Sequence, residues 1–344
     1  MPTLVSREIR LKTRPIGMPK ESDFDLAQVE IAEPAEGQVQ VRNIWMSVDP
    51  YMRGRMVDRE SYADPFKLGE ALYGGAVGQV VASRNPQFQP GDYVNNFNGW
   101  QEAFLSDGTG LTKIDASLGP IQAFLGALGM PGLTAYVGLV GIGKPKAGET
   151  VFVSAASGAV GAIVCQIARN LGCRVIGTAG SDDKCAWLRD TLKVDAAVNY
   201  RAHRSAAALE AAVRAHAPNG VDIYFDNVGG DHLEAAIGLM NPFGRLPICG
   251  MIAQYNATTP PPGPSNIIMT VPKRLHIQGF IVSDHPDQAP DFLRAMGQWI
   301  AEGRMTWKET VHEGIANAPK AFIGLFEGAN FGKMLVKIGP DPAV

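Results

Sequence analysis

An uncharged strand-like run, Thr150-Val151-Phe152-Val153, leads into Ser154-Ala155-Ala156-Ser157-Gly158-Ala159-Val160-Gly161, and helical character follows over Ala159–Asn170. Small residues between a strand and a helix do a specific job. At Gly158 the backbone can approach a pyrophosphate, and at Gly161 the helix can pack tightly on the sheet. The helix start then offers unpaired N–H groups to the anion. Ala156 stands where the first glycine of the dinucleotide fingerprint G-x-G-x-x-G falls, so the weight rests on the strand–turn–helix setting. The serine-nucleophile version of such a turn, G-x-S-x-G, is absent. About 20 residues on, where an acid would hold the ribose hydroxyls of NAD, the chain reads Thr178-Ala179-Gly180-Ser181-Asp182-Asp183-Lys184. Gly180 and Ser181 leave room, and Lys184 supplies a cation for a 2′-phosphate. Asp182 and Asp183 oppose that reading unless they face solvent or cap the helix. The expected cofactor is NADP(H).

Residues 1–164 contain neither of the usual zinc ligands, histidine and cysteine. All six histidines, from His203 to His312, lie beyond residue 200, and the first cysteine is Cys165. A catalytic zinc needs about three protein ligands and a structural one about four, mostly Cys and His. Any hydride chemistry is therefore expected to proceed without a metal, and a zinc alcohol dehydrogenase is excluded.

These residues need elements to hold them. The 344 residues are enough for two domains. Up to about residue 125 the pattern is β-rich: Gln38–Ile44 alternates like a half-buried strand, Gly74–Val81 reads as another, and Pro90-Gly91-Asp92-Tyr93-Val94 as a turn entering a third. The texture changes after Ala123. Pro131–Tyr136 opens a helix, and apolar strands then alternate with helices: Arg174–Thr178, Lys184–Thr191, Ala196–Asn199, Ser205–Ala217, Val221–Asp226, His232–Met240, Gly244–Cys249 and His276–Val282. That alternation predicts a doubly wound parallel sheet covered on both faces. A final strand, Gly332–Ile338, is expected to return to the first domain. The expected fold class is α/β, a β-rich domain (1–126 with 309–344) plus a dinucleotide-binding domain (127–308).

Composition excludes other classes. With 31 Lys+Arg against 34 Asp+Glu the net charge is −3, so no global basic field invites nucleic acid or an anionic membrane. Thr150–Ala168 carries no charge and is close to the ~18–20 residues of a membrane span, but its serines, glycines and Gln166 divide it into a strand and a helix. The N-terminal residues have no apolar signal-peptide core. Four cysteines, Cys165, Cys173, Cys185 and Cys249, form no CxxC, which suggests free thiols and a cytoplasmic protein.

In order and spacing, six segments resemble the zinc-independent branch of the medium-chain dehydrogenase/reductase superfamily, the prostaglandin reductases and alkenal or enone double-bond reductases. They are Val48-Asp49-Pro50-Tyr51-Met52-Arg53, Ala155–Gly161, Gly180–Lys184, Phe225-Asp226-Asn227-Val228-Gly229-Gly230, Cys249–Asn256 and Gly328-Ala329-Asn330-Phe331-Gly332-Lys333. The resemblance implies a GroES-like domain plus a Rossmann domain, and a homodimer formed through the latter. It implies that Ser157, Gly158, Ala159, Val160 and Gly161 cradle the pyrophosphate, and that Ser181, Lys184 and Tyr200 hold the 2′-phosphate. Asn227, Cys249, Gly250 and Tyr255 would line the ribose and nicotinamide side, Phe280, Ile281 and Val282 would flank the nicotinamide, and Asn330 would reach back from the C-terminal segment. Plant and mammalian members often carry a tyrosine where this chain has Pro272, so a proton-handling role from that position is in doubt. The implied reaction is NADPH-dependent reduction of an enone or enal double bond. Its oxyanion needs a hydrogen-bond donor; Tyr51 is the first candidate, Tyr255 the second and Tyr62 the third. A quinone oxidoreductase is the alternative within the same chemistry, and a non-catalytic NADPH-binding protein the alternative outside it.

Overall fold

The computed structural model describes residues 4–340. The chain divides into two compact units, Met1–Leu125 with Glu309–Asn330 and Met334–Val344, and Gly126–Lys308 with Phe331–Lys333.

The first unit begins with a hairpin of β1 (Leu4–Leu11) and β2 (Phe24–Ile31). Next come β3 (Val39–Ser47), a one-turn helix α1 (Met52–Arg55), β4 (Ala76–Ser83), β5 (Tyr93–Asn96), β6 (Ala103–Ser106) and β7 (Thr112–Lys113). The alternation in Gln38–Ile44 predicts one wet face, but only Arg42 of β3 is exposed. The reason is position: β4 pairs along one edge of β3 and β6 along the other, leaving the strand central. Its polar side chains are satisfied internally. Gln40 Nε2 donates to Ala32 O, and Asn43 Nδ2 to Asn98 O and Gln101 O.

The second unit opens with α2 (Met130–Tyr136), which continues as a π-helical stretch, Val137–Gly143. Six parallel strands follow: β8 (Thr150–Val153), β9 (Arg174–Ala179), β10 (Ala196–Asn199), β11 (Val221–Phe225), β12 (Met240–Ile248) and β13 (His276–Gly279). Between and after them run α3 (Gly161–Asn170), α4 (Asp182–Asp190), α5 (Ala206–Arg214), α6 (Gly230–Leu239), α7 (Thr270–Lys273) and α8 (Ala289–Ala301). The sheet order is β10-β9-β8-β11-β12-β13. It reverses direction of travel between β8 and β11, where open parallel sheets hold ligands beyond their carboxyl ends. The uncharged run Thr150–Ala168 is thus a buried strand followed by a buried helix, and among the described residues no helix is long and apolar enough to cross a membrane.

Boundaries differ from expectation where side chains or turns intervene. α3 starts at Gly161 rather than Ala159, because Gly158 N–H donates back to Ala155 O and the chain stays in a turn. β12 starts at Met240 rather than Gly244, and β13 stops at Gly279 before a short 3₁₀ turn at Val282–Asp284. The chain returns to the first unit through β14 (Glu309–Glu313), α9 (Ala318–Glu327) and β15 (Lys333–Lys337), and Leu335–Lys337 pairs with Trp45–Ser47 of β3.

Gly161 is required by the fit of α3 against the preceding turn. A Cβ there would lie 2.4 Å from Ala155 O and 2.9 Å from Ala156 Cα. Gly161→Ala is expected to cost about 1–3 kcal/mol of stability, measured by denaturant unfolding; a wild-type midpoint would contradict this packing.

Candidate active site

The turn after β8 is held by its neighbours rather than by its own glycines. Ala155, one residue before the position of the fingerprint's missing glycine, takes a left-handed backbone (φ 47°), and Ala156 N–H donates to Thr178 O on β9. Gly158 and Gly332 form an isolated parallel bridge, with Gly332 N–H donating to Ser157 O at 2.9 Å. A Cβ on Gly332 would fall 1.8 Å from Lys308 O, so no other residue fits. At Gly158 an added Cβ would meet only Ala155 O, at 3.2 Å. The surface over Gly158 is therefore open to an anion, whereas Gly161 is packed. The residues present fit a pyrophosphate.

Across the switch point, the end of β11 is tied to the same turn. Asn227 Nδ2 donates to Ser154 O at 2.8 Å, and Ser154 Oγ accepts Asn227 N–H at 2.9 Å. Asp226, fully buried, accepts from Tyr224 Oη at 2.7 Å and from the N–H groups of Val228 and Gly229 at 2.9 Å. Its backbone carbonyl accepts the N–H groups of Cys249 and Gly250. Burial raises the Asp226 carboxyl above the usual carboxylate range, against the pull of these donors. It also pushes the Cys249 thiol up to about 12, so Cys249 packs rather than reacts. Tyr255 folds onto its own loop, its Oη accepting Met251 N–H at 3.3 Å. Phe280 lies edge-on to Phe225, and a Cβ at Gly138 in the π-helical stretch would come within 2.6 Å of both rings. Ile281 and Val282 follow it into the 3₁₀ turn.

The end of β9 carries the charged corner. Ser181 caps α4, its Oγ accepting Lys184 N–H at 3.3 Å. Asp182 and Asp183 sit exposed in the first turn, where the helix dipole favours acids. Asp182 Oδ1 is held by Asn199 Nδ2 at 2.8 Å, so the acids face solvent, while Ser181 and neither aspartate caps the helix. A Cβ on Gly180 would lie 3.1 Å from Tyr200 Oη and 3.4 Å from Arg201 Nε. Burial first, and then the Arg201 charge, hold Lys184 below the ordinary lysine range. Arg201 is the residue that motif reading passes over. It lies outside the Gly-rich segment, and only the parallel pairing of β10 with β9 brings it to Gly180.

Residues 7–114 match the model of an N-terminal domain of oxidoreductase, and residues 159–299 that of a zinc-binding dehydrogenase. Over 337 residues the chain is 43% identical to the NADPH-dependent curcumin reductase of Escherichia coli, with 96% of each chain covered. It is 45% identical over 332 residues to prostaglandin reductase 1 of Bos taurus, covering 95% of this chain and 97% of that one. The chain belongs to the medium-chain dehydrogenase/reductase superfamily, in its prostaglandin, alkenal and curcumin reductase branch. The crystal structure of CurA from Vibrio vulnificus in complex with NADPH has a TM-score of 0.91 to this medium-chain reductase at 43% identity, covering 97% of this chain and 99% of that one. Among the described residues no group of three or more His, Cys, Asp or Glu side chains is placed to hold a metal ion.

In this reductase the remaining candidates lie in the first unit. Asn330 follows α9 and directly precedes the Phe331–Lys333 segment. Tyr51 is the N-cap of α1 and packs against the core that includes Met46, Met52 and Met56. Burial, and then Asp49, raise its hydroxyl well above the ordinary tyrosine value; burial raises Tyr62 as well. Pro272 lies in the exposed turn α7, and a proline there has no proton to give.

His232 packs edge-on to Tyr200 with ring centroids 5.0 Å apart, and burial lowers its pKa to about 4. Its ordinary value is near 6.5, so the neutral form contributes stability that is complete above pH ~6.5 and is lost as pH falls toward 4. Melting temperature is expected to fall over that window, and His232→Phe to flatten the fall; an unchanged profile would refute the linkage.

Proposed function

We propose that this chain is an NADPH-dependent reductase of the carbon–carbon double bond in α,β-unsaturated ketones and aldehydes. The reading is carried by the corner at Gly180, where Tyr200 Oη and Arg201 Nε lie within 3.4 Å of an added Cβ and the Arg201 charge acts on Lys184. We assign Ser157–Gly161 to the pyrophosphate, Ser181, Lys184, Tyr200 and Arg201 to the 2′-phosphate, and Asn227, Cys249, Gly250 and Tyr255 to the ribose and nicotinamide side. Phe280, Ile281 and Val282 are assigned to flank the nicotinamide, and Asn330 to reach it from the C-terminal segment. Lys184→Ala is expected to raise KM for NADPH about 10–100-fold and leave KM for NADH unchanged. Equal effects on both coenzymes would remove the phosphate role.

NADPH, when bound, supplies a hydride to the β-carbon of the enone. The alkene electron pair moves toward the carbonyl oxygen, giving an enolate, and the α-carbon then takes up a proton. What the protein must add is orientation and a donor for that oxyanion. Tyr51 suits the task as a phenol O–H donor packed against the core at the start of α1. Tyr255 is the weaker candidate, since its hydroxyl already serves its own loop. Tyr51→Phe is expected to lower kcat on an enone about 10–100-fold, and full turnover would remove Tyr51 from the chemistry. The reading as a whole is tested by NADPH oxidation against enones, enals and quinones, with NADH as control. Faster turnover of quinones would favour the quinone oxidoreductase alternative, and binding without any oxidation the non-catalytic one.

We further propose a cytoplasmic homodimer built through the second unit. The four cysteines are free. β13 ends the six-stranded sheet, and Ile277 on it and Val271 just before it are 38% and 69% exposed. An unpaired apolar edge of this kind invites a second copy. Ile277→Lys is expected to shift the species seen in sedimentation velocity from dimer to monomer, and a wild-type monomer would refute the assignment.

A further inference from the structure

Arg55 is left without a role by the reading above. It closes α1 and follows Tyr51 by four residues, and Tyr51 itself has helical dihedrals (φ −59°, ψ −27°). That spacing puts both side chains on one face of the turn. The guanidinium is clamped. Its Cζ lies 4.5 Å from the Phe66 ring centroid and 4.6 Å from that of Tyr73, two rings set edge to face at 88°. Its Nε donates to Asp64 O at 2.9 Å. Aromatic faces and a carbonyl orient a guanidinium without neutralising it. Two nearby arginines differ: Arg14 lies 3.8 Å from the carboxylate of Asp58, and Arg53 donates to the carbonyls of Pro15 and Gly17. Among the described residues no carboxylate pairs with Arg55. Its charge nevertheless reaches the hydroxyls of Tyr51 and Tyr62, where it opposes the effect of Asp49.

We propose that Arg55 is a positioning residue acting through Tyr51, its immobilised and uncompensated charge favouring the negative oxygen that forms on the substrate at the Tyr51 hydroxyl. The proposal rests on the reading of Tyr51 as the donor to the enolate oxygen. A phenol beside a buried acid such as Asp49 is a poor partner for an oxyanion, because the acid repels the developing charge. A fixed cation on the same face offsets that repulsion, and it does so most when the charge has formed. The two rings and the Asp64 carbonyl hold the charge in place.

The test is a double-mutant cycle with Arg55→Gln, Arg55→Lys and Tyr51→Phe in the full-length protein, with melting temperature and NADPH affinity as controls of folding. Arg55→Gln is expected to lower kcat about ten-fold with KM for the enone within two-fold, and Arg55→Lys to recover most of the loss. In the Tyr51→Phe background, Arg55→Gln is expected to cost nothing more. A second readout avoids turnover: calorimetric binding of a 1,3-diketone as its enolate and of a neutral saturated ketone of the same size. Arg55→Gln is expected to weaken the enolate about ten-fold and spare the ketone. An undiminished loss in the Tyr51→Phe background, equal weakening of both ligands, or an unchanged kcat would make Arg55 a staple for the Met56–Phe66 loop and overturn the proposal. Full turnover by Tyr51→Phe alone would instead defeat the underlying reading, a result separable from the others because it involves no change at Arg55.

Discussion

A single buried carboxylate ties the carboxyl ends of three neighbouring strands together. Asp226 follows β11, yet its side chain collects the Tyr224 hydroxyl and two loop N–H groups while its carbonyl takes two more from the loop after β12. Ser154, at the end of β8, sits within 3.3 Å of the same carboxylate oxygen and fastens Asn227. Polar groups shut away from water must find partners inside. Here the loops after β11 and β12 fold so that four of their N–H groups, those of Val228, Gly229, Cys249 and Gly250, reach Asp226. Loops that would otherwise vary become part of the scaffold, and Asn227 inherits a fixed orientation from a residue with no exposed surface.

The charged corner follows a different logic. α4 and the turn after β10 bring Lys184 and Arg201 to one corner, where Gly180 lacks a side chain beside Tyr200 and Arg201. Burial first, and the Arg201 charge second, lower the Lys184 pKa, and a doubly negative phosphate bound there would favour the charged lysine.

Much of this was legible in the order of residue types. The parallel sheet, the turn at Gly158–Gly161 and Lys184 as a cation follow from local pattern, because strand length and small residues act over a few positions, whereas the helix cap considered for Asp182 and Asp183 falls to Ser181. The illegible parts are non-local. β3 looks half wet by alternation, but its burial depends on which strands choose its two edges. Arg201 has no motif, and its place is decided by strand register between β9 and β10. Asp226 reads as a turn residue until the loops around it are folded. Gly332 belongs to a segment more than 150 positions from the turn it holds, and no window of sequence links the two.

The Gly332 pairing reaches beyond the turn it braces. Phe331 stands edge-on to Trp187 of α4 with centroids 5.0 Å apart, and Lys308 Nζ lies over the Phe331 ring, 3.9 Å from its centroid. Three residues from the far end of the chain are thus built into the nucleotide-binding half, although the sequence on either side of them is not. A gene fragment encoding 126–308 alone would yield a half-molecule missing its latch. Excision, circular permutation or transplantation of this module into a chimaera must carry the Phe331–Lys333 tripeptide along.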